Sequence, residues 1–212
     1  MSHVATAPLS VATLRAALKK EDFVAFPATL ADYDRLSDYQ EFSLHYVHNQ
    51  IVGTMSYCTE SHELIVINIA SLFNVIFDDY KVLGSNRPIY VEAVDDIFEP
   101  DLQLVIGETQ LHHYGRVKTA TVNPTVIVEV HSDSTKDFDL TTKLNAYKTI
   151  PTLQHIIFIE QTKPHISLYS RTKQPNEWLN VDVMDLTKNI RVLGQLFPLS
   201  KIYKKVIFVA QP

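Results

Sequence analysis

The sequence predicts a mixed α/β domain: a central mixed β-sheet flanked by helices. Three observations carry this. Thr125 to His131 is an almost wholly apolar, β-branched run of strand length, the composition of a central strand covered on both faces. Residues from Glu60 or Ser61 to Phe77 repeat apolar side chains at helical spacing. Between 125 and 160 the patterns run strand, helix, strand, which calls for a parallel pair joined by a right-handed crossover.

The elements follow in order. Residues 1–28 read as an N-terminal helical extension and 29–212 as the domain. Short helices are expected over Val11 to Lys19 and Leu30 to Leu36, the second capped by Thr29 with Asp32 three residues on. Phe42 to Tyr57 holds two β-rich runs around His48-Asn49-Gln50, and Asn49 tolerates positive φ, so a hairpin is expected. The long helix to Phe77 presents Leu64, Ile67, Ile69, Leu72, Phe73 and Ile76. Strands follow at Pro88 to Val94, Leu102 to Ile106 and Thr125 to His131. Ser134 with Asp137 caps a helix that runs to Thr149 and is closed by Pro151. Leu153 to Glu160, Ile166 to Tyr169 and Trp178 to Met184 complete the strands. A short helix near Ser200 and an apolar Val206 to Ala210 end the chain.

Composition narrows the function. The chain has 212 residues, 46% hydrophobic and 20% charged, an ordinary globular balance. Its 5 glycines cannot be arranged as either Gly-rich phosphate loop, and its one cysteine, Cys58, excludes an internal disulfide or a Cys-rich zinc site. The net charge of -5 argues against a non-specific nucleic-acid binder but permits a local basic groove. Residues 1–20 lack a leader pattern, and Leu64 to Ala70 falls far short of the roughly 18 apolar residues a span requires, so a cytoplasmic protein off the membrane is expected.

One charge resists a packing explanation. Glu129 sits at the centre of the most apolar strand, and acids are rarely buried unless paired or ligating a metal. Asp101 opens another strand directly after Pro100. If the strands are neighbours, the two carboxylates converge with a strand carbonyl into a hard oxygen site suited to Mg²⁺; otherwise Glu129 needs a buried basic partner. Lys143, with Asp139 four residues before and Tyr147 four after, shares one face of the following helix, where a solvated Asp–Lys pair is the plain reading. His45 and His48 point to opposite sides of a strand and make a poor shared zinc site. His112-His113 reads as a polar loop, and Glu92, Asp95, Asp96 and Glu99 as an exposed hairpin tip. Arg87, Arg116, Lys118 and Lys136 could meet phosphate.

The segments FEPDLQLVIG, NPTVIVEVHSDST and DFDLTTKLNAYKTIPTLQHIIFIEQ, with a strand ending LYSR, resemble the large bacterial family of uncharacterised restriction-endonuclease-like proteins in the PD-(D/E)XK nuclease superfamily. The resemblance spans about Thr29 to Phe208. It implies a restriction-endonuclease-like core and a metal-dependent endonuclease acting on DNA. Asp101 and Glu129 would be the metal-ligating acids, with the Val130 carbonyl as a further ligand and Mg²⁺ or Mn²⁺ as the ion. The superfamily's lysine normally stands two residues after the second acid, where this chain has His131; Lys143 on the next helix takes its place. His62 matches a histidine at the start of the family's long helix, and Tyr147 is a further accessory residue. Family members carry an acid before the first hairpin turn in a pattern resembling H-E-Y-I-N-G-E-I-V. Here Leu44 to Val52 has His45 in place of that acid and Asn49 in place of the glycine. The alternative is therefore a catalytically degenerate nuclease fold serving as a dimeric binding or regulatory module. A homodimer is expected in either case, from the apolar tail and the strand-rich C-terminal half.

Overall fold

The computed structural model describes residues 8–55, 58–131 and 135–208. The chain opens with α1 (Val11–Leu18), β1 (Val24–Pro27), α2 (Leu30–Leu36), β2 (Phe42–Val47), β3 (Gln50–Met55) and α3 (Glu60–Ile76). Then come β4 (Tyr80–Gly84), β5 (Ile89–Val91), β6 (Asp96–Phe98), β7 (Leu102–Ile106), β8 (Leu111–Tyr114), β9 (Lys118–Thr121) and β10 (Val126–His131). A composite helix follows: α4 (Lys136–Phe138), a π-helical turn (Asp139–Lys143) and α5 (Leu144–Tyr147). The chain ends with β11 (His155–Glu160), β12 (Ile166–Arg171), β13 (Trp178–Val183), β14 (Asn189–Val192), β15 (Gln195–Pro198) and α6 (Leu199–Ile202).

The strands form two large mixed sheets and a small hairpin. A six-stranded sheet is ordered β13-β12-β11-β10-β7-β4, and its one parallel pair is β10 with β11, in register from Val126↔His155 to His131↔Glu160. A seven-stranded sheet is ordered β1-β3-β2-β6-β5-β9-β8. Alternation along β10 fixes its two faces. Val126, Val128 and Val130 pack with Ile65, Ile69 and Phe73 of α3. Ile127 faces the other way, into a core shared with Leu144 and Tyr147 of α5 and with Val47, Ile89 and Phe98 of the seven-stranded sheet. The outer face of that second sheet is covered by α1 and α2 through Leu14, Tyr33 and Leu36.

Local chemistry explains the clearest elements. The Thr29–Asp32 capping box is formed, and Thr59 caps α3. The β2–β3 turn places His48 and Asn49 at φ 50° and 61°, the two left-handed residues of a tight hairpin turn.

Several expectations are corrected. Besides its helix, the segment ahead of residue 29 holds β1, which pairs with β3. On α3 the fully buried stripe is Ile65-Ile69-Phe73, flanked by partly buried Val66, Ala70 and Leu72, and Ile67 is 58% exposed because it lies on the face turned away from the sheet. His112 and His113 lie in β8, where pairing with β9 makes an extended strand of a polar sequence. Of the expected acidic tip, Asp96 is buried and accepts the His48 N–H at 2.8 Å. Val206 and Phe208 pack onto the α3 core and leave Ile207 exposed, so much of the apolar tail is already covered by its own chain. The expectations for Tyr57, Ser134 and residues 209–212 lie outside the described residues.

His155 ties the small hairpin to the main sheet. Its Nε2 accepts the Leu193 N–H at 3.0 Å, and its Nδ1 lies 3.0 Å from Ser170 Oγ. Burial pushes this imidazole down to about 4. The unfolded chain takes up that proton near 6.5, so the contribution is complete above pH 6.5 and is lost as pH falls from there through the folded value. Urea unfolding at a series of pH values should show a loss approaching about 3 kcal/mol over this window, and His155→Gln should remove that part of the slope.

Candidate functional site

The two large sheets meet where the chain leaves β6 and enters β7, through Glu99-Pro100-Asp101. The β7–β10 ladder ends at Leu102↔Val128. Beyond it Asp101 Oδ2 accepts the Val130 N–H at 2.6 Å, so a carboxylate stands where the next backbone carbonyl of a ladder would be. Its Oδ1 lies 3.2 Å from His62 Nε2, in the first turn of α3. The expected neighbouring of the Asp101 and Glu129 strands is thus present.

Glu129 shares the face of Ile127, and α5 packs onto it. Its Oε2 lies 3.0 Å from Lys143 Nζ, and its Oε1 accepts the Tyr147 hydroxyl at 2.6 Å. Lys143 also reaches Asp139 Oδ1 at 2.9 Å. Glu129, Lys143 and Asp139 are 3%, 5% and 2% exposed, so the solvated Asp–Lys pair expected from spacing is overturned: the sheet covers that face of the helix. The expected buried basic partner of Glu129 is present as well. The π-helical turn begins at Asp139 and ends at Lys143; such turns are rare and recur at functional sites.

Two carboxylates, Glu129 and Asp139, contact the one buried ammonium, and the charge of Asp101 acts on it as well. Burial pushes the Glu129 carboxyl above its ordinary range, the Lys143 charge works against that, and the charges of Asp139 and Asp101 add to it. Lys143 pays for its burial with two carboxylates, and the outcome is an ammonium held above its ordinary value. The charges of Asp139 and Asp101 oppose ionisation of Glu129, and a divalent cation at these oxygens would relieve that repulsion.

Asp101, Glu129, Val130 and Lys143 line an open cleft of about 1070 Å³ between the sheets, together with His45 and His62. His45 is buried on β2 beside Phe138 and Phe98, and its Nδ1 accepts the Glu99 N–H at 3.1 Å. Burial, helped by the Lys143 charge, pushes its pKa well down and keeps it neutral. His62 is raised: burial lowers it, but its hydrogen bond to Asp101 and the charge of that carboxylate outweigh the burial.

A family model described as "Uma2: Putative restriction endonuclease" matches residues 30–199. The chain belongs to this family. Among curated relatives, the Uma2 chain is 23% identical over 158 residues to the uncharacterized protein sll1609 of Synechocystis, covering 74% of this chain and 87% of that one. It is 24% identical over 155 residues to the uncharacterized protein slr1290 of the same organism, covering 71% and 78%. A crystal structure described as a putative nuclease belonging to DUF820, from Anabaena variabilis, superposes with a TM-score of 0.67 at 13% identity, over 85% of this chain and all of that one, and shows the same fold.

In this Uma2 chain one cleft gathers Asp101, Glu129, Lys143, His45 and His62, with Tyr147 behind Glu129. His48 is at the turn, away from the cleft, and its Nε2 lies 3.6 Å from Asp96. His131 is buried against Phe158 with its Nε2 3.7 Å from Glu160, within a cluster that also takes Lys136. Of the basic residues, Arg87 and Lys118 line the cleft. Sequence reasoning missed Glu99, placing it on an exposed tip. It is a partly buried carboxyl pushed up to about 7 by desolvation, and it accepts the Tyr33 hydroxyl at 3.3 Å. The signal was present in the Glu-Pro-Asp triplet, because a proline between two acids marks the strand break that turns both toward the cleft.

Removing Lys143 leaves Glu129 and Asp139 buried without a counter-charge. Lys143→Met should therefore cost about 3–5 kcal/mol in urea unfolding near neutral pH. Adding Glu129→Gln to that variant should recover part of the loss, and a double-mutant cycle measures the coupling.

Proposed function

We propose that this Uma2-family protein hydrolyses DNA phosphodiester bonds with a divalent cation held by Asp101, Glu129 and the Val130 carbonyl. The observation that carries the reading is the pair of carboxylates on adjacent strands, facing an open cleft, with a buried ammonium fixed on one of them. The donor set is all oxygen, which suits Mg²⁺ or Mn²⁺. When bound, such a cation neutralises developing phosphate charge and lowers the pKa of a bound water.

The chain's own residues do the rest. Tyr147 and Lys143 hold the two Glu129 oxygens and set the carboxylate's orientation. Asp101 is fixed by the Val130 N–H and by His62. Lys143 keeps a permanent positive charge at the cleft wall, available to orient water or to stabilise an oxyanion. His62, raised above its ordinary value by its hydrogen bond to Asp101, can hold a proton at Nε2. Arg87 offers a cation at the cleft for the DNA backbone; Lys118 also lines it, with its ammonium paired to Asp34 and Asp38. Among the described residues no helix is long and apolar enough to cross a membrane, which fits a cytoplasmic enzyme. On the terminal strand β13, Leu179 and Val181 are exposed, which supports a homodimer formed along that edge.

A second reading is favoured by one observation. His45, at the position where the family resemblance implies an acid, is buried, neutral and committed to the Glu99 N–H. On that reading the fold is kept as a dimeric binding or regulatory module without cleavage.

Time courses on single- and double-stranded DNA with Mg²⁺ and with Mn²⁺ separate the two. The expected result is metal-dependent cleavage by the parent, falling by a factor on the order of a hundred or more in Asp101→Asn and Glu129→Gln. The parent should also melt higher with metal, by about 2.7 kcal/mol of added stability at a hundredfold excess over Kd. No cleavage by the parent, together with cleavage by His45→Glu, would establish the degenerate reading instead.

A further inference from the structure

A different set of donors converges at the entry to α3. Thr59 caps the helix: its Oγ1 accepts the His62 N–H at 3.1 Å and donates to Gln161 Oε1 at 2.5 Å. Cys58 therefore stands one residue before the cap and Glu63 four residues after it. These are the two positions whose side chains meet across a helix entry, commonly as an apolar staple. Here they are a thiol and a carboxylate, with His62 beside them. One ligand atom each from Cys58, His62 and Glu63 lies within 4.8 Å of the others.

The two ring nitrogens of His62 are treated differently. Nε2 is 3.2 Å from Asp101 Oδ1. Nδ1 is buried and makes no hydrogen bond; Glu63 Oε1, at 3.8 Å, is too far to serve. A buried ring nitrogen without a partner is costly in an ordinary packed site. A metal-ligating histidine, by contrast, characteristically gives one nitrogen to the ion and its other N–H to a carboxylate.

We infer that Cys58, His62 Nδ1 and Glu63 form a site for a borderline-soft divalent ion of the zinc class, at the mouth of the cleft. The sulfur–nitrogen–oxygen donor set selects such an ion over Mg²⁺, which the oxygen pair of Asp101 and Glu129 suits. Tetrahedral coordination at roughly 2.0–2.3 Å places ligand atoms about 3.3–3.8 Å apart, so the three side chains need to close by about 1 Å. Cys58 and Glu63 are exposed and free to make that adjustment. Burial and the neighbouring Glu63 push the Cys58 thiol up to about 11, so binding converts Cys–SH to a metal thiolate and releases one proton to solvent. Three protein ligands leave a fourth position for water. Occupancy fixes the His62 Nε2–H on Asp101, which connects this site to the cleft without depending on hydrolysis there.

Cobalt(II) titration followed by absorbance tests the site on the intact chain. The expected result is a thiolate-to-cobalt charge-transfer band in the near ultraviolet that saturates at one ion per chain and is reversed by zinc. Excess Mg²⁺ should not remove it. Cys58→Ser should abolish the band, His62→Gln should weaken binding at least about tenfold, and Asp101→Asn should weaken it by about 10–100-fold. Glu129→Gln should keep the band, which separates this site from the carboxylate pair. A parent without the band, a Cys58→Ser variant that binds cobalt as tightly as the parent, or loss of the band in Glu129→Gln would each overturn the inference.

Discussion

Burial of Glu129 is the constraint on which the site and much of the core depend. A carboxylate in the middle of a strand covered on both faces must find partners, and the chain supplies them from one helix: Lys143 to one oxygen and Tyr147 to the other. That demand sets which face of the composite helix turns inward, and it brings Asp139 in with Lys143. The π-helical turn between Asp139 and Lys143 lies at this point of contact. The same residues that neutralise the buried acid thus line the cleft, and structure and candidate chemistry share one network.

The second determinant is the crossing between sheets at Glu99-Pro100-Asp101. Proline has no N–H to give to a ladder, and the β7–β10 pairing starts only at Leu102. The gap is closed by the Asp101 side chain on the Val130 N–H and by the Glu99 N–H on His45. A strand break therefore becomes a cleft with a carboxyl on either side of the proline. One of these acids is held by His62 and the other by Tyr33, so residues far apart in the chain are tied to a three-residue segment.

The parts of the fold legible in the sequence were those in which a local rule and a burial pattern agree. The Thr29 cap, the start of α3 at Glu60, the His48-Asn49 turn and the β10–β11 crossover each have their own signal within a few residues. β4, β6, β8 and β9 have none: they are short, polar or acidic, and they are strands because a neighbour supplies their hydrogen bonds. His112 shows this directly, since it stacks on Tyr90 across the sheet at 3.6 Å rather than standing in a loop. The seven-stranded sheet was hidden for the same reason, and with it the second wall of the cleft.

For the site, the sequence by itself determined which residues were chemically anomalous: Glu129 in an apolar strand, Asp101 after a proline, and Lys143 with Asp139 and Tyr147 on one helical face. Those are statements about spacing and composition, and they survive folding because strand alternation and helical repeat are local properties. Whether the Asp139–Lys143 pair faces water or Glu129 is not local. The spacing is the same in both cases, and the surrounding sheet decides by excluding solvent from that face. The placement of His45 against Glu99, and of His62 between Asp101 and the Cys58–Glu63 pair, was likewise decided only by tertiary structure. Each depends on where two sheets and a helix end meet, and no single segment carries that information.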